Sequence, residues 1–328
     1  MPGAGNLYIV NGTWYIKRLG KGFMANLNGI LRKMSGSVGN LTFRQSNGVT
    51  VVSEKVTKVH NPRSDAQMRT RTKFSNIVAM YKGIRPKLNR GFESKAAGLS
   101  DFNMFVRMNM QKEPVYLTKQ QVAEGACVAA PYQITQGSIP AIVITGTGQN
   151  GKTDIRLGGL SITSSTTVAQ FAQAVVNNNP EYQYGDQISF FIVRQKTNAE
   201  TGVPYCLFEA AKVTLDAASE DTMNDVVGTS TGFKAVDGNL GHSGSDGDCA
   251  YTWVHSRKSN GKLLVSSQSL LNANSIITDY QGENAYTLAR TSYGITQDVF
   301  LSPDAESAGT SANAGGGDDN GGGGGGGL

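Results

Sequence analysis

Short strand-like runs, separated by turns rich in Gly, Asn and Asp, fill residues 115–271 and constrain the fold more than any other feature. The runs lie at 133–134, 141–145, 154–157, 187–194, 205–215, 250–255 and 262–267, with one helix-like insertion at 167–177. Several short strands at modest spacing are typical of a β-sandwich. We therefore predict an immunoglobulin-like β-sandwich for residues 113–302, with the polar residues 219–248 as a long surface loop.

Two Asn-Gly turns mark the first 60 residues. The turns and their flanking strand-like runs are 11–12 between 7–10 and 14–16, and 47–48 between 41–44 and 49–53. Asn-Gly between two such runs is a strong hairpin signal. We predict two β-hairpins, joined by a basic segment that is punctuated by glycines and partly helical at 23–34.

Two amphipathic helices are predicted before residue 113. The first starts at Asn61-Pro62, because Asn caps helices and Pro suits their first turn, and it ends or kinks at Pro86. The second covers 100–110 and is capped by Ser100. We interpret their apolar stripes as packing faces. The predicted fold class is α+β: a basic β-hairpin and helical module, residues 1–112, followed by the immunoglobulin-like sandwich.

The formal charge reverses after Lys112. Residues 1–112 contain 19 of the 30 Lys and Arg residues but only four acidic residues, which makes +15, whereas the other 216 residues carry −10. Opposite fields in two parts of one chain favour contact with a charged partner, either a polyanion or the acidic face of a neighbouring copy. Catalysis requires no such asymmetry.

The candidate partner-binding residues are eight bases within 28 residues of the basic module. They are Arg63, Arg69, Arg71, Lys73, Lys82, Arg85, Lys87 and Arg90. Bases of this density can neutralise phosphates or face an acidic protein surface. The segment has no helix-turn-helix, zinc-finger or RNA-binding signature, so the charge pattern alone leaves both kinds of partner open.

Residues 146–153 match the phosphate-binding pattern G-x-x-x-x-G-K-[ST] letter for letter. That loop binds phosphates because a helix follows it and its backbone amides surround the anion. The residues after Thr153 are β-branched, interrupted by glycine and strand-like. We predict a turn between two strands here and keep a nucleotide hydrolase only as a third alternative.

No catalytic, cofactor or metal site is predicted. His60, His242 and His255 have no partner at ligand spacing, and we expect His255 to be a half-exposed structural residue in a strand. Asp246-Gly247-Asp248 has too few oxygen ligands for calcium and is interpreted as a solvated turn.

Three cysteines stand far apart along the chain. Cys127, Cys206 and Cys249 form no C-x-x-C pair and are odd in number. We expect buried free thiols in a reducing compartment, and neither a disulfide framework nor a zinc site.

Several segments resemble one uncharacterised family. They are 36–43 (GSVGNLTF), 61–74 (NPRSDAQMRTRTKF), 185–193, 251–256 and 264–269. Over residues 20–271 the chain is similar to a domain-of-unknown-function family of Bacteroides-group gut bacteria and their phages. The resemblance implies no catalytic residue. The helix start within 61–74 is also similar to segments of phage virion proteins, which implies a role in assembly.

We predict a non-enzymatic structural protein that self-assembles or docks in a larger particle, such as a phage virion neck, tail or capsid-associated ring. Its expected partners are further copies of itself and other virion proteins, with DNA as a non-specific partner of residues 1–112. The alternative from another class is a stand-alone nucleic-acid-binding protein that uses the basic module.

The ends of the chain and its hydropathy bear on location. The N-terminus lacks a signal-peptide pattern, and the longest apolar run, around 141–144, is too short to span a bilayer. We expect synthesis in the bacterial cytoplasm, location in the virion and no contact with a membrane. Residues 303–328, rich in Gly, are predicted to form a disordered tail.

Overall fold

A computed structural model describes residues 6–10, 13–17, 24–27, 35–46, 49–55, 64–88, 91–93, 95, 98–112, 114–146, 150–244, 246–272 and 277–294. The chain divides into two compact units, Met1–Pro62 with Ala96–Gly98 and Arg63–Lys95 with Leu99–Leu328. This division falls earlier than the predicted boundary at Lys112. The physical reason is that the helices assigned to the basic module pack in a core of the second unit. The predicted tail, 303–328, lies outside the described residues.

The first unit consists of antiparallel strands as far as it is described. They are β1 (Asn6–Val10), β2 (Thr13–Lys17), β3 (Met24–Leu27), β4 (Gly36–Val38), β5 (Leu41–Ser46) and β6 (Val49–Glu54). β1 pairs with β2 and β5 pairs with β6, which confirms both predicted hairpins. β3 and β4 flank the second hairpin in a sheet of order β3-β6-β5-β4.

Strand β3 corrects the helix predicted at 23–34. Its residues pair with β6, with Met24 opposite Ser53 and Leu27 opposite Thr50. A short segment between glycines cannot offset the cost of helix nucleation, whereas the edge of β6 offers partners for its backbone groups. Residue 23 and residues 28–34 of the predicted helix lie outside the described part of the chain.

Six α-helices are described in the second unit. They are α1 (Asp65–Ile84), α2 (Asp101–Asn109), α3 (Lys119–Ala123), α4 (Val168–Asn178), α5 (Met223–Val227) and α6 (Gly282–Ser292). Two 3₁₀ turns, Arg85–Lys87 and Thr278–Tyr280, accompany them.

The helix ends follow the local sequence. α1 begins after Ser64, later than predicted from Asn61, and gives way to the 3₁₀ turn that contains Pro86, as the missing amide of Pro requires. The predicted cap of α2 is confirmed, because the Ser100 side chain accepts from the Asn103 N–H. Thr167 caps α4 within a capping box, close to the predicted helix-like insertion.

The strands of the second unit form three antiparallel sheets. They are β7 (Gln133–Thr135), β8 (Ile144–Thr145), β9 (Lys152–Arg156), β10 (Gln187–Thr197), β11 (Pro204–Thr214), β12 (Lys234–Val236), β13 (Asn239–Gly241), β14 (Cys249–Ser259), β15 (Lys262–Val265), β16 (Gln268–Ser269) and β17 (Leu271–Asn272). The central sheet has the order β11-β10-β14-β15, with β17 also on β14. The others are β12-β13-β9-β8 and β16-β7.

The middle strands of the central sheet, β10 and β14, are buried on both faces. Along β10, Phe190 and Ile192 pack in one core while Phe191 and Val193 pack in another. A strand covered on both faces is apolar over a continuous run instead of alternating with polar residues. The core on the Phe191 side contains residues of helices α1 and α2. The core on the Phe190 side contains residues of helix α4 and of strands β9 and β13.

Helix α1 is held in the first core by a buried amide. Asn76 Nδ2 donates to the Val128 carbonyl at 2.9 Å, and Asn76 Oδ1 accepts from the Val128 N–H at 2.8 Å. The same Nδ2 lies 3.2 Å from the Tyr132 hydroxyl. These bonds replace strand pairing for a buried, irregular segment, because buried backbone groups require partners.

Both helices and antiparallel sheets are present, so the α+β class is confirmed. An immunoglobulin-like sandwich is not established, because helices cover one face of the central sheet and the second sheet shares the other core with α4. The prediction of a surface loop at 219–248 is wrong. This segment contains α5, β12 and β13, and its Met223, Phe233 and Leu240 are buried. Widely spaced apolar residues anchor this polar segment, which is why its composition is misleading.

Candidate partner-binding surface

Arg69 of α1 is engaged within the second unit. Its guanidinium binds Asp65 at 3.1 Å and Glu283 of α6 at 2.8 Å. It also lies over the Tyr286 ring, 3.9 Å from the centroid. Arg69 therefore joins α1 to α6. Its side chain was predicted to bind a partner, but it is already bound within the chain, which the sequence did not reveal.

The other seven predicted bases differ in availability. Lys73 donates to the Met110 carbonyl and so joins α1 to the end of α2. Arg71 is exposed. Arg63 and Arg90 lie outside the described residues. The structure thus divides the eight predicted residues instead of bringing them together in one patch.

Lys82, Arg85 and Lys87 form one exposed basic group at the end of α1 and in the following 3₁₀ turn. Within the described part of the chain, their side chains make no hydrogen bond or ion pair. Cations at the C-terminal end of a helix are favoured by its dipole, so the local backbone stabilises this placement. These three residues remain free to bind a partner.

A groove of about 960 Å³, here called the basic groove, lies beside this group. Its apolar lining includes the half-buried Tyr81 and Phe102 and the buried Phe92 and Phe105. Tyr81 contacts both neighbouring rings, with centroids 5.2 Å from Phe102 and 5.4 Å from Phe105. Tyr81 and Phe102 are therefore the accessible aromatic part of the lining, and Phe105 supports Tyr81 from beneath.

The rim of the basic groove is polar. Lys82 and Arg85 line it, and Lys95 forms an ion pair with Asp101 at another part of it. Aromatic lining with a cationic rim suits an apolar side chain flanked by carboxylates or phosphates. The sequence indicated the α1 and α2 stripes as packing faces. It missed the contribution of Phe92, which a bridge to Gln136 brings to the same place.

The most deeply buried titratable cluster surrounds Asp186. His255 Nε2 lies 2.8 Å from Asp186 Oδ2, and Arg257 donates to both carboxylate oxygens. Tyr182 stacks on the His255 ring with centroids 4.3 Å apart. Asp186 and His255 are at most 1% exposed, so a substrate cannot reach them. We interpret the cluster as structural, and the expected half-exposure of His255 is wrong.

The pKa values in this cluster have opposing causes. Burial raises the pKa of Asp186, but hydrogen bonds from Arg257, the Gln183 amide and His255 outweigh it, so the net pKa is lowered. Burial lowers the pKa of His255, although the hydrogen bond and charge of Asp186 oppose it. The carboxylate is therefore ionised and the imidazole neutral at pH 7.

Asp246 corrects another prediction. Its carboxylate binds Arg194 at 2.8 Å and His242 Nε2 at 2.7 Å, and it is only 10% exposed. Arg194 also binds Glu209, so a charged network ties β10, β11 and the 242–246 segment together. Within the predicted solvated turn, Asp246 is therefore an anchor that pairs with β10, whereas Gly247 and Asp248 are exposed as predicted.

The phosphate-binding pattern at 146–153 lies between two paired strands. Ile144 of β8 is opposite Thr153 of β9, and Thr145 is opposite Lys152. Strand β9 occupies the place where a phosphate-binding loop requires a helix. The prediction of a turn between strands is confirmed for its flanks, and residues 147–149 lie outside the described part.

Lys152→Ala is expected to change the free energy of unfolding by no more than about 0.5 kcal/mol. Lys152 Nζ binds Asp237 at 3.1 Å, but the two side chains are 39% and 74% exposed, and such exposed pairs contribute little. Denaturant unfolding of both proteins measures the difference, with Asp237→Asn as the matched control because Asn tolerates the positive φ of 48° at this position. ATP binding by the native protein that Lys152→Ala abolishes would contradict this interpretation.

The remaining candidates give no chemical site in the described residues. Cys127 and Cys249 are buried free thiols as predicted, whereas Cys206 is half-buried. Burial raises the pKa of Cys249 to about 11, which keeps it protonated. The described part of the chain contains no cluster of three or more metal-ligating side chains and no helix that could cross a membrane.

Comparison with known proteins gives one match. Residues 33–120 match the family model described as a family of unknown function, DUF6266. The matched span runs from β4 through α2 and includes the exposed group Lys82, Arg85 and Lys87. Neither the curated proteins nor the solved structures provide a match. Over this span the chain is therefore similar to a family of unknown function, and its predicted bacterial and phage association stays a prediction.

Proposed function

We propose that this chain is a non-enzymatic structural protein that self-associates in a larger particle, as a virion neck, tail or capsid-associated ring component. The observation that carries the proposal is the exposed basic group beside an aromatic groove, in a chain whose residues after 112 carry −10. Such a chain presents both halves of an electrostatic contact. Repetition of one contact between identical copies is the economical way to build a symmetric assembly.

The magnitudes favour repetition over a single strong site. An exposed ion pair contributes only about 0–1 kcal/mol, so three bases cannot hold a monomeric partner tightly by charge alone. Apolar contact in the groove adds to them, at roughly 25 cal/mol for each Å² removed from water. In a closed assembly each copy makes the contact twice, which multiplies a modest interaction.

The immunoglobulin-like sandwich and the virion location belong to the same proposal. Two antiparallel sheets that share a core support the sandwich, with α4 as an addition to that core. The middle strands β10 and β14, covered on both faces, support a rigid building block, since close-packed interiors deform little.

The mass distribution of the purified full chain tests self-association. We expect species larger than a monomer at low salt and a shift towards monomers as salt rises, because the Debye length falls from about 10 Å at 0.1 M to about 3 Å at 1 M. Mass photometry across that salt range measures the shift. A monomer at every salt and protein concentration would refute the proposed function.

The second candidate is a stand-alone nucleic-acid-binding protein. The same three exposed bases support it, since unpaired Lys and Arg side chains neutralise phosphates. It predicts a monomeric protein whose logarithmic affinity for duplex DNA falls with the logarithm of salt, by about 0.9 per neutralised phosphate. A monomer with that dependence would favour this candidate over assembly.

A further inference from the structure

We infer that the basic groove of one copy receives residues 216–227 of a second copy. The inference rests on the self-association proposed above and names the surface responsible for it. The groove supplies cations and an aromatic lining, and residues 216–227 supply carboxylates and an exposed apolar side chain.

Residues 216–227 form an exposed acidic segment. Asp216, Glu220, Asp221 and Asp225 are exposed, and the chain contains no Lys or Arg between Lys212 and Lys234. The segment ends in α5, where Val226 is 41% exposed beside the buried Met223. An apolar side chain next to carboxylates on a short, anchored helix is the complement of an aromatic groove with a cationic rim.

The acidic segment is preorganised. The Thr222 side chain accepts from the Asp225 N–H, and Asp225 accepts in turn from the Thr222 N–H and hydroxyl. Asp216 accepts from the Ala218 N–H. Two rigid partners lose less conformational entropy on association than two mobile ones, so weak contacts count for more.

The basic group and the acidic segment do not form ion pairs with each other within one copy. Lys87 and residues Val227–Thr231 line a common cavity of about 380 Å³, so the end of the basic group lies near the end of the acidic segment. Even so, among the described residues no ion pair joins Lys82, Arg85 or Lys87 to the four carboxylates. Both sets therefore remain available to a second copy.

The dimensions are compatible. The groove volume of about 960 Å³ is at the upper end of the roughly 300–1,000 Å³ of ordinary ligand pockets. A helix of five residues is about 7.5 Å long, and because Met223 stays buried in its own copy, only the exposed face of α5 with Val226 enters the groove. Val226 then contacts the Tyr81 and Phe102 side while the carboxylates face Lys82 and Arg85.

Two complementary charge-reversal variants of the full chain test the inference. The first carries Lys82→Glu, Arg85→Glu and Lys87→Glu, and the second carries Glu220→Lys and Asp221→Lys. Asp216 and Asp225 are left intact because their side chains accept hydrogen bonds that order the segment. Each variant alone places like charges opposite one another, and we expect its association constant at low salt to fall at least about tenfold.

Mixing the two variants in equal amounts is the decisive measurement. The reversed groove of one then faces the reversed segment of the other, so we expect the native mass distribution to return. The control carries Lys196→Glu, Lys234→Glu and Lys258→Glu, three exposed bases elsewhere, and it should associate as the native protein does. Circular dichroism confirms that each variant is folded.

The outcomes separate this inference from the proposed function. A native protein that never self-associates overturns both. A native protein that self-associates, with a first variant that associates equally well, overturns only the interface. A mixture that stays monomeric also overturns the interface, because complementary charges then fail to restore it. Loss of duplex DNA binding by the first variant, in a monomeric native protein, would indicate the nucleic-acid candidate.

Discussion

Asp186→Asn is expected to lower the free energy of unfolding by about 3 kcal/mol, at the lower end of the roughly 3–5 kcal/mol for breaking a buried ion pair. Asp186 is fully buried and binds Arg257, His255 and the Gln183 amide. Its removal leaves the Arg257 charge without its main partner. The lower end applies because a quarter of the Arg257 side chain remains in solvent and it also donates to the Glu181 carbonyl.

The same cluster predicts destabilisation by acid. The pKa of His255 is lowered in the fold, so the unfolded chain binds the proton more tightly, and stability declines as the pH falls below about 6.5. The pKa of Asp186 is also lowered, so its contribution is complete above about 3.9 and is lost as the pH falls through its folded value. Stability should decline in two stages.

Urea unfolding between pH 7 and about pH 2 follows both effects. The matched control is Asp279→Asn, at an exposed position in a 3₁₀ turn, which should leave stability within about 0.5 kcal/mol of the native protein. In Asp186→Asn the second decline should be weaker, because the titrating carboxylate is gone. Equal stability of the two variants at pH 7 would disprove the structural role assigned to the cluster.

Trp253→Ala is expected to lower the free energy of unfolding by about 3–5 kcal/mol. Trp253 of β14 is fully buried, and its ring contacts Phe190 with centroids 5.0 Å apart. Its Nε1–H donates to the Gly232 carbonyl at 2.8 Å. The substitution therefore leaves a large cavity and an unpaired buried carbonyl, and it releases the 219–248 segment from the central sheet.

Trp253→Phe separates the two causes. It retains most of the apolar contact but removes the hydrogen bond. We expect it to lower the free energy of unfolding by roughly 1–3 kcal/mol, the cost of the unpaired carbonyl, which is less than the loss in Trp253→Ala. Tyr205→Ala, at a 41% exposed aromatic position of the same sheet, serves as the control. Chemical unfolding monitored by circular dichroism gives the three values. A loss below about 1 kcal/mol in Trp253→Ala would contradict its place in the core.

Local patterns were sufficient for much of the secondary structure. The hairpins around 11–12 and 47–48, the cap at Ser100 and the turn before Lys152 all follow from interactions between near neighbours. The start of helix α4 is also determined locally, since Thr167 and Gln170 form a capping box within one turn. Such features depend on backbone preferences and short-range hydrogen bonds, which the sequence contains directly.

Contacts between distant residues were not predictable in this way. Arg69 was interpreted as a partner-binding base, yet Glu283 and Tyr286 lie more than 200 positions away and engage it. Asp246 pairs with Arg194 across 52 positions, and Asp186 pairs with His255 and Arg257 across 69 and 71 positions. A periodic pattern identifies a helix face but not the element that covers it.

The sequence by itself determined the α+β class, both hairpins, the charge reversal between its parts and the position of the basic residues. Only the tertiary structure decided which of those bases are engaged, that α1 and α2 belong with the second unit, and that residues 219–248 are anchored by Met223, Phe233 and Leu240. The physical reason is that burial and charge pairing depend on what the fold brings alongside each residue. Lys82, Arg85 and Lys87 stay available because no described acidic side chain forms an ion pair with them, whereas Arg69 forms one with Glu283.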